Sequence, residues 1–397
     1  MEKRKVAYIV HAERPLNGIL ETQVFKLYNA FADVNKGFDV TIYLFAHPLI
    51  YFQLFKDYKK LKLKMSTSKI KLKIIPLILI PERWEAYSVF LTKISFYTNI
   101  LCYLIVGKAK FDFIICRSYV ASFNMCKVKE VFSLKSNIIF DPRSVFPLER
   151  KSFDFFKTDE LYEFWIKREY FICSIANNII YISSGMKDYF ISLNNEFENK
   201  LVYLPLSFDN NIDCSKNEIY KSEEQIILLY VGSMNVGMHN NDVNHYLKRC
   251  KQLIDYNSKI KFVFVLPKVT EEIKSLFLKD FTFQDKIEFY EGKTEVINWL
   301  KKAHFGIYFL KEALDSHTRY GVKSVEYLCN GLPIIYDSGA GGIGEVVKEN
   351  KCGINISDSS LIRDLNPTLF DKKLISKWAV KEHSIETNIQ RLQAIFK

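Results

Sequence analysis

Arg319, Lys323 and Glu326 follow one another at intervals of four and three. On the helix predicted over Tyr320–Asn330, Val322, Val325 and Leu328 share one side, and Lys323 and Glu326 share the opposite flank. Arg319 joins that flank if the helix starts early. A short way on, Ser338-Gly339-Ala340-Gly341-Gly342-Ile343-Gly344 opens another helix. Glycines at 341, 342 and 344 let backbone N–H groups approach an anion at a helix N-terminus, where the dipole favours negative charge. Two cations, one carboxylate and bare amides suit a nucleotide diphosphate. The cations offset phosphate charge, and the carboxylate accepts both ribose hydroxyls. The same residues also permit a solvated Lys323–Glu326 pair and ordinary glycine turns. Their order within one short stretch favours the first reading.

The elements that must position these groups are legible around them. Asn330-Gly331 ends the first helix, since glycine accepts the left-handed cap conformation. Leu332–Tyr336 is an apolar run, as expected of a strand buried on both faces. Upstream, Gln225–Val231 is a strand ending in Gly232-Ser233, small residues whose amides could meet a phosphate. Strands at Lys261–Leu266, Ile287–Tyr290 and Phe305–Leu310 alternate with helices at Thr270–Leu278 and Glu295–Ala303. That alternation predicts a parallel sheet with right-handed crossovers.

The run K-S-V-E-Y-L-C-N-G-L-P-I-I, followed by G-G-I-G-E-V-V and K-C-G, resembles the donor-binding half of family-4 retaining glycosyltransferases. The resemblance implies an α/β chain of GT-B fold: two Rossmann-like, doubly wound parallel-sheet domains facing across a cleft. It implies that Glu326 contacts the donor ribose. The family's other glutamate, eight positions earlier, is replaced by Thr318, so Arg319, His317 or Asp315 is expected to share its work. The cations that relatives carry after the Gly232-Ser233 turn are missing too, since Met234, Asn235, Val236 and Gly237 stand there. Arg319 and Lys323 are then the expected cations.

The first half opens with the strand Val6–Val10, ending at His11. A loop containing Pro15, Asn17 and Gly18 follows, then a helix over Glu21–Asn35 and a strand over Asp39–Phe45. By resemblance the loop faces the donor phosphates, with Gly18 at the glycine position; a plain turn is the alternative. Strands end at Arg117-Ser118 and at Asp141-Pro142-Arg143-Ser144. Arg117 stands where relatives carry a histidine near the reacting sugar. Asp141 and Arg143 resemble a D-x-R segment and would reach a cleft from a strand's carboxyl end; a structural pair fixing a loop is the alternative. His11, Asp141 and Arg143 are the expected acceptor or cleft residues. Helices are expected at Glu160–Ile175 and Ser184–Leu193, and strands at Asn178–Ser183 and Leu201–Pro205. The polar stretch 206–224 is the expected linker. The expected domains are 1–205, joined by a C-terminal helix over 378–397, for the acceptor, and 206–377 for the donor.

Charge is unevenly placed. The net charge is +11, and residues 1–110 carry 18 Lys and Arg against 8 Asp and Glu, while the remainder carries 38 against 37. Lys56–Lys73 holds eight lysines interleaved with apolar residues, and Ala86–Val106 is apolar with Lys93 its one charge. Ser88, Thr92, Ser95, Thr98 and Asn99 interrupt that segment, so a helix lying in a membrane interface, or partly buried in the domain, is expected rather than a spanning one. An anionic membrane surface is the expected partner of this basic half. Eight scattered cysteines without a C-x-x-C pair predict reduced, buried thiols. The first residues show no long apolar core and predict no signal peptide. His239, His245, His304 and His383 show no ligand spacing, and no D-x-D motif lies near a strand end, so neither metal nor cofactor is expected.

The sequence thus predicts a metal-independent glycosyltransferase, cytoplasmic and peripheral on the inner face of the membrane. It would move a UDP- or GDP-linked sugar to a hydroxyl of a membrane-anchored saccharide or lipid. Retention of the anomeric configuration is implied by the resemblance. Arg319, Lys323 and Arg117 are the expected catalytic residues; Gly18, Gly232, Ser233, Glu326, Gly341, Gly342 and Gly344 are the expected donor contacts. A nucleotide-sugar epimerase of the same fold is the enzyme rival. A non-catalytic nucleic-acid binder is suggested by charge alone, but its aromatics form no stacking platform, and no nucleic acid is expected as a partner.

Overall fold

The computed structural model describes residues 2–13, 18–46, 63, 65–77, 88–209, 225–234, 242–280 and 283–397. Lys56–Lys62 and Lys64 of the basic run, Ile78–Tyr87, most of the expected linker and Asn235–Gly237 lie outside those residues. The chain divides into two compact units, one of residues 1–207 with 385–397, the other of residues 208–384.

The first unit is built on seven parallel strands: β1 (Arg4–His11), β2 (Phe38–Ala46), β3 (Lys71–Pro76), β4 (Phe113–Arg117), β5 (Asn137–Asp141), β6 (Asn178–Tyr181) and β7 (Leu201–Tyr203). Their order is β3-β2-β1-β4-β5-β6-β7, so the direction of winding reverses between β1 and β4. Val6–Val10 and residues 113–117 are buried throughout, as strands covered on both faces must be. After β1 the chain is helical from Gly18, with a π-helical stretch Glu21–Lys26 leading into α1 (Leu27–Val34). Tyr8, Tyr28 and Phe31 of this layer form one core with Leu392 and Phe396 at the chain's end. On the same sheet lie α2 (Val89–Lys108), α3 (Ser118–Phe132) and α4 (Asp159–Ile175). Thr158 caps α4 by accepting a hydrogen bond from the Leu161 amide, and Asp159 and Glu160 suit the positive end of its dipole.

The second unit holds β8 (Ile226–Val231), β9 (Ile260–Leu266), β10 (Ile287–Glu291), β11 (Phe305–Tyr308), β12 (Ile334–Tyr336) and β13 (Gly353–Asn355), in the order β10-β9-β8-β11-β12-β13. All its pairs are parallel, and here the winding reverses between β8 and β11. The helices that matter below are α5 (Val243–Tyr256), α6 (Val322–Cys329) and α7 (Gly341–Glu349). Gly331 takes φ +73, the left-handed conformation expected of the residue ending α6.

One expectation changes. The terminal segment is two helices, Lys372–His383 and Ile385–Ile395, rather than one. The break falls where the His383 carbonyl accepts the Phe208 amide at 2.7 Å and is lost to the helix. Lys71 and Lys73 belong to β3, the edge strand of the first sheet, where exposed lysines and Pro76 oppose further pairing. Among the described residues no helix is long and apolar enough to cross a membrane, and all seven described cysteines are buried.

Candidate functional site

In the second unit β8 ends where the winding reverses, the place at which open α/β sheets bind ligands. Gly232 takes φ +130 there, and a Cβ at this residue would lie 2.3 Å from Cε and 2.7 Å from Nζ of Lys323. The glycine is required because the lysine stem lies across it. Lys323 donates to the Tyr230 hydroxyl at 2.7 Å, and its Nζ sits 4.4 Å from the centre of that ring. Tyr230 in turn donates to the Ser233 carbonyl at 2.6 Å. One hydroxyl therefore ties the lysine to the turn after β8. Four residues on, the Tyr327 hydroxyl accepts the Val231 amide at 2.8 Å, so the same face of α6 grips β8 twice.

Burial pulls the Lys323 ammonium down to about 7, with the Glu326 carboxylate opposing. Burial likewise pushes the Glu326 carboxyl above its ordinary range, with Lys323 opposing. No hydrogen bond reaches the Glu326 carboxylate among the described residues. The pair is thus a half-buried cation and carboxylate at a strand end, not the solvated surface pair that was the alternative.

Arg319 is placed differently from its neighbour. It meets Asp315 through two bonds, Nε to Oδ2 at 2.9 Å and Nη2 to Oδ1 at 2.8 Å, and donates to the Lys311 carbonyl at 2.7 Å. Both side chains of the pair are nearly buried. Its guanidinium braces the β11–α6 connection, and the same pair occupies the Asp315 carboxylate. Thr318 is buried and donates to the Asp315 carbonyl at 2.8 Å, while His317 is exposed.

The glycine turn is a three-residue 3-10 turn, Ser338–Ala340, leading into α7. A Cβ at Gly341 would stand 2.8 Å from the Ser316 carbonyl oxygen, at Gly342 2.5 Å from that of Arg319, and at Gly344 2.6 Å from the Tyr336 ring. Packing against the β11–α6 connection demands the first two glycines, and packing against β12 the third, whatever their amides bind.

A cluster at the same rim escaped the sequence reading. Asp337, fully buried beyond β12, accepts the Leu310 amide at 2.9 Å through one oxygen. Its other oxygen meets His245 Nε2 at 2.7 Å and Arg249 Nε at 3.2 Å. His245 and Arg249 stand four apart on α5, a spacing visible in the sequence; their carboxylate partner, 88 residues from Arg249, was not. Tyr230 escaped notice because a tyrosine within an apolar strand reads as core.

In the first unit the corresponding rim gathers the other expected residues. His11 Nδ1 lies 2.8 Å from the hydroxyl of Tyr103, a fully buried α2 residue whose ring stacks on Phe45 at 4.3 Å. Arg117, 5% exposed, donates to Glu13 at 2.6 Å, and its Nη1 is buried with no hydrogen-bond partner among the described residues. Burial opposes its charge, but Tyr8, Glu13 and Asp141 outweigh it and hold the guanidinium charged. Asp141 accepts the Tyr8 hydroxyl at 2.7 Å, and burial together with Asp141 pushes that phenol up. Arg143 reaches Asp141 and Gln23 only at 3.4 Å each. Ala12 (φ 55), Ser118 (φ 72) and Arg143 (φ 64) all take left-handed backbone just beyond β1, β4 and β5, three adjacent strands. Each such conformation costs on the order of 1–3 kcal/mol and gathers where function constrains the backbone. Gly18 begins its helix, and among the described residues no atom lies within 4 Å of where its Cβ would stand.

No family model and no curated protein sequence matches the chain. Solved structures do. The lipopolysaccharide outer core galactosyltransferase WaaB, in its apo form, matches with a TM-score of 0.68 at 13% identity over 99% of each chain. HepE from Anabaena in complex with UDP matches at 0.65 and 11% identity, over 98% of this chain and 99% of that one. Sucrose-phosphate synthase from Thermosynechococcus elongatus matches at 0.59 and 12% identity, over 100% of this chain and 95% of that one. With its two parallel α/β sheets, the chain has the GT-B fold of these glycosyltransferases.

Proposed function

We propose that the chain is a glycosyltransferase that takes a sugar from a nucleotide sugar, UDP- or GDP-linked, and delivers it to a hydroxyl of a membrane-anchored saccharide or lipid. The observation that carries the donor half is Lys323, held by Tyr230 over Gly232 at the point where the second sheet reverses its winding. A diphosphate seated there would meet an ammonium already desolvated, and so interact more strongly than in water. As the glycosidic bond breaks, charge builds on the departing diphosphate, and a fixed cation stabilises it most at that moment. Glu326, one turn along α6, has the free carboxylate that ribose hydroxyls require. Solved neighbours support the donor class: HepE was solved with UDP, and WaaB is described as a galactosyltransferase. The reaction so drawn needs no metal ion, and retention follows the family resemblance.

The first unit takes the acceptor in this reading. Its rim offers a polar, charge-balanced set, with Arg117 and Arg143 against Glu13 and Asp141, suited to an uncharged sugar ring. The basic surplus of residues 1–110 supports a membrane-anchored acceptor. Donor affinity of Lys323→Ala and Glu326→Ala, measured by calorimetry with UDP, tests the proposal. Both variants should weaken binding, and unchanged affinity in both removes the two assignments.

A further inference from the structure

The helix α2 is apolar nearly all round in sequence, yet among the described residues only one side of it is packed. Thr92, Asn99, Cys102, Tyr103 and Val106 are buried. At 100° per residue they fall within about 100° of one another and form the packed face. On the other side Phe90 is 68% exposed, Ile94 37%, Tyr97 73%, Leu101 60% and Ile105 53%. These five fall within about 80° and run for roughly 22 Å along the axis. Lys93 borders the stripe, and Lys108 and Lys110 lie beyond its C-terminal end, all exposed. At that end Gly107 packs against Val128 and Leu134, and the neighbouring end of α3 exposes Val131 and Phe132. A contiguous apolar patch of this kind on a folded unit marks a surface that something covers.

Charge decides what covers it. The stripe lies in the part of the chain with 18 basic residues against 8 acidic ones. A two-fold contact through this face would set one basic surface against an identical one. A bilayer with anionic headgroups answers both features, taking the apolar side chains below the headgroups and the lysines at their level. The packed face is already occupied, so the helix would lie flat.

We infer that the exposed face of α2 is a docking surface for an anionic lipid bilayer. Docking would also be registered with the rim of the first sheet, because Tyr103, on the packed face of the same helix, bonds His11 at the end of β1. The bilayer surface itself follows from exposure and charge alone. That it brings a lipid-linked acceptor to that rim rests on the glycosyltransferase reading.

The test is sedimentation of the full chain with vesicles of phosphatidylglycerol and phosphatidylcholine, against phosphatidylcholine alone. The wild type should bind the mixed vesicles at least tenfold more tightly, and the preference should shrink at high salt. Phe90→Ser, Tyr97→Ser and Leu101→Ser combined, all on the solvent face, should lower that partition at least tenfold while UDP affinity stays unchanged. Lys93→Gln with Lys108→Gln should remove the lipid preference and leave the fold intact. Equal binding by the triple variant, or no vesicle binding by the wild type, overturns the inference. So does a concentration-dependent dimer abolished by the triple variant, which would give the face to a second copy. Loss of UDP binding with vesicle binding intact would instead count against the proposed function and spare this surface.

Discussion

Donor binding should take up a proton, and the size of the effect follows from Lys323. Its ammonium titrates near 7 in the free protein because burial disfavours the charge. A bound diphosphate reverses the balance, since an opposite charge a few ångströms away favours the charged form. If only the ammonium form binds, apparent affinity scales with the fraction protonated: about one half at pH 7, about one tenth at pH 8 and about one hundredth at pH 9. The dissociation constant for UDP should therefore rise about fivefold from pH 7 to 8, and nearly tenfold more from 8 to 9. UDP suits the range because its terminal phosphate, with a second ionisation near 6, is already fully charged. Calorimetry in buffers of different ionisation enthalpy should report about 0.9 proton taken up per UDP at pH 8. In Lys323→Ala, affinity should fall roughly 10- to 150-fold at pH 7, the worth of a hydrogen bond to a charged group, and lose its dependence on pH. A flat wild-type profile between pH 7 and 9, with no proton uptake, would refute the argument, for it would mean that the lysine does not meet the phosphates.

Other consequences are independent of that titration. Gly232→Ala should weaken UDP binding as much as Lys323→Ala does, because its Cβ would sit 2.3 Å from the lysine Cε; in a Lys323→Ala background it should change UDP affinity little, since the displaced group is gone. Tyr230→Phe removes the acceptor of the 2.7 Å lysine bond, so the midpoint of the UDP pH profile should move to lower pH, as loss of a bond to the charged form requires. Arg319→Leu leaves Asp315 buried and unpaired and should cost about 3–5 kcal/mol in denaturant unfolding of the second unit, with UDP affinity of the folded protein little changed. Glu169 of α4 is fully buried and accepts bonds from Tyr119 and Tyr189; burial raises its carboxyl from 4.5 to about 7 against those bonds. The folded state then holds the proton more tightly than the unfolded one. Stability from this group is greatest in acid and falls by about 3 kcal/mol as pH rises from about 4.5 to about 7. That fall, read by denaturant unfolding, should be absent in Glu169→Gln.

Much of the architecture was legible because its signals are local. Runs such as Val6–Val10 and Ile226–Val231 can be little else than strands buried on both faces, and Asn330-Gly331 announced the end of α6. Pairings across sequence left no such mark. Nothing near Arg117 points to Glu13, 104 residues away, and nothing near Asp337 points to His245. The terminal helix read as continuous because its break is imposed from outside, by the Phe208 amide taking the His383 carbonyl. The helix Val89–Lys108 was ambiguous for a related reason. Apolar on both faces, it gives no helical period, and only the fold shows which face is packed.

Arg319 and Lys323 make the limit concrete. Both are cations on one predicted flank, four apart, and periodicity treats them alike. Asp315 lies four residues before Arg319, a spacing at which a carboxylate and a guanidinium meet across one turn even where, as here, the turn is not a regular helix. That pairing uses both edges of the planar fork, and the Lys311 carbonyl takes a further donor. Lys323 instead donates to a neutral phenol, that of Tyr230, and burial pulls its ammonium down to about 7. A desolvated cation bonded to a phenol gains much from an arriving anion, whereas one held by two bonds to a carboxylate would first have to give that partner up. The difference between the two side chains therefore lies in the partner each already holds, a carboxylate for Arg319 and a phenol for Lys323, and it is why the proposal seats the diphosphate at Lys323.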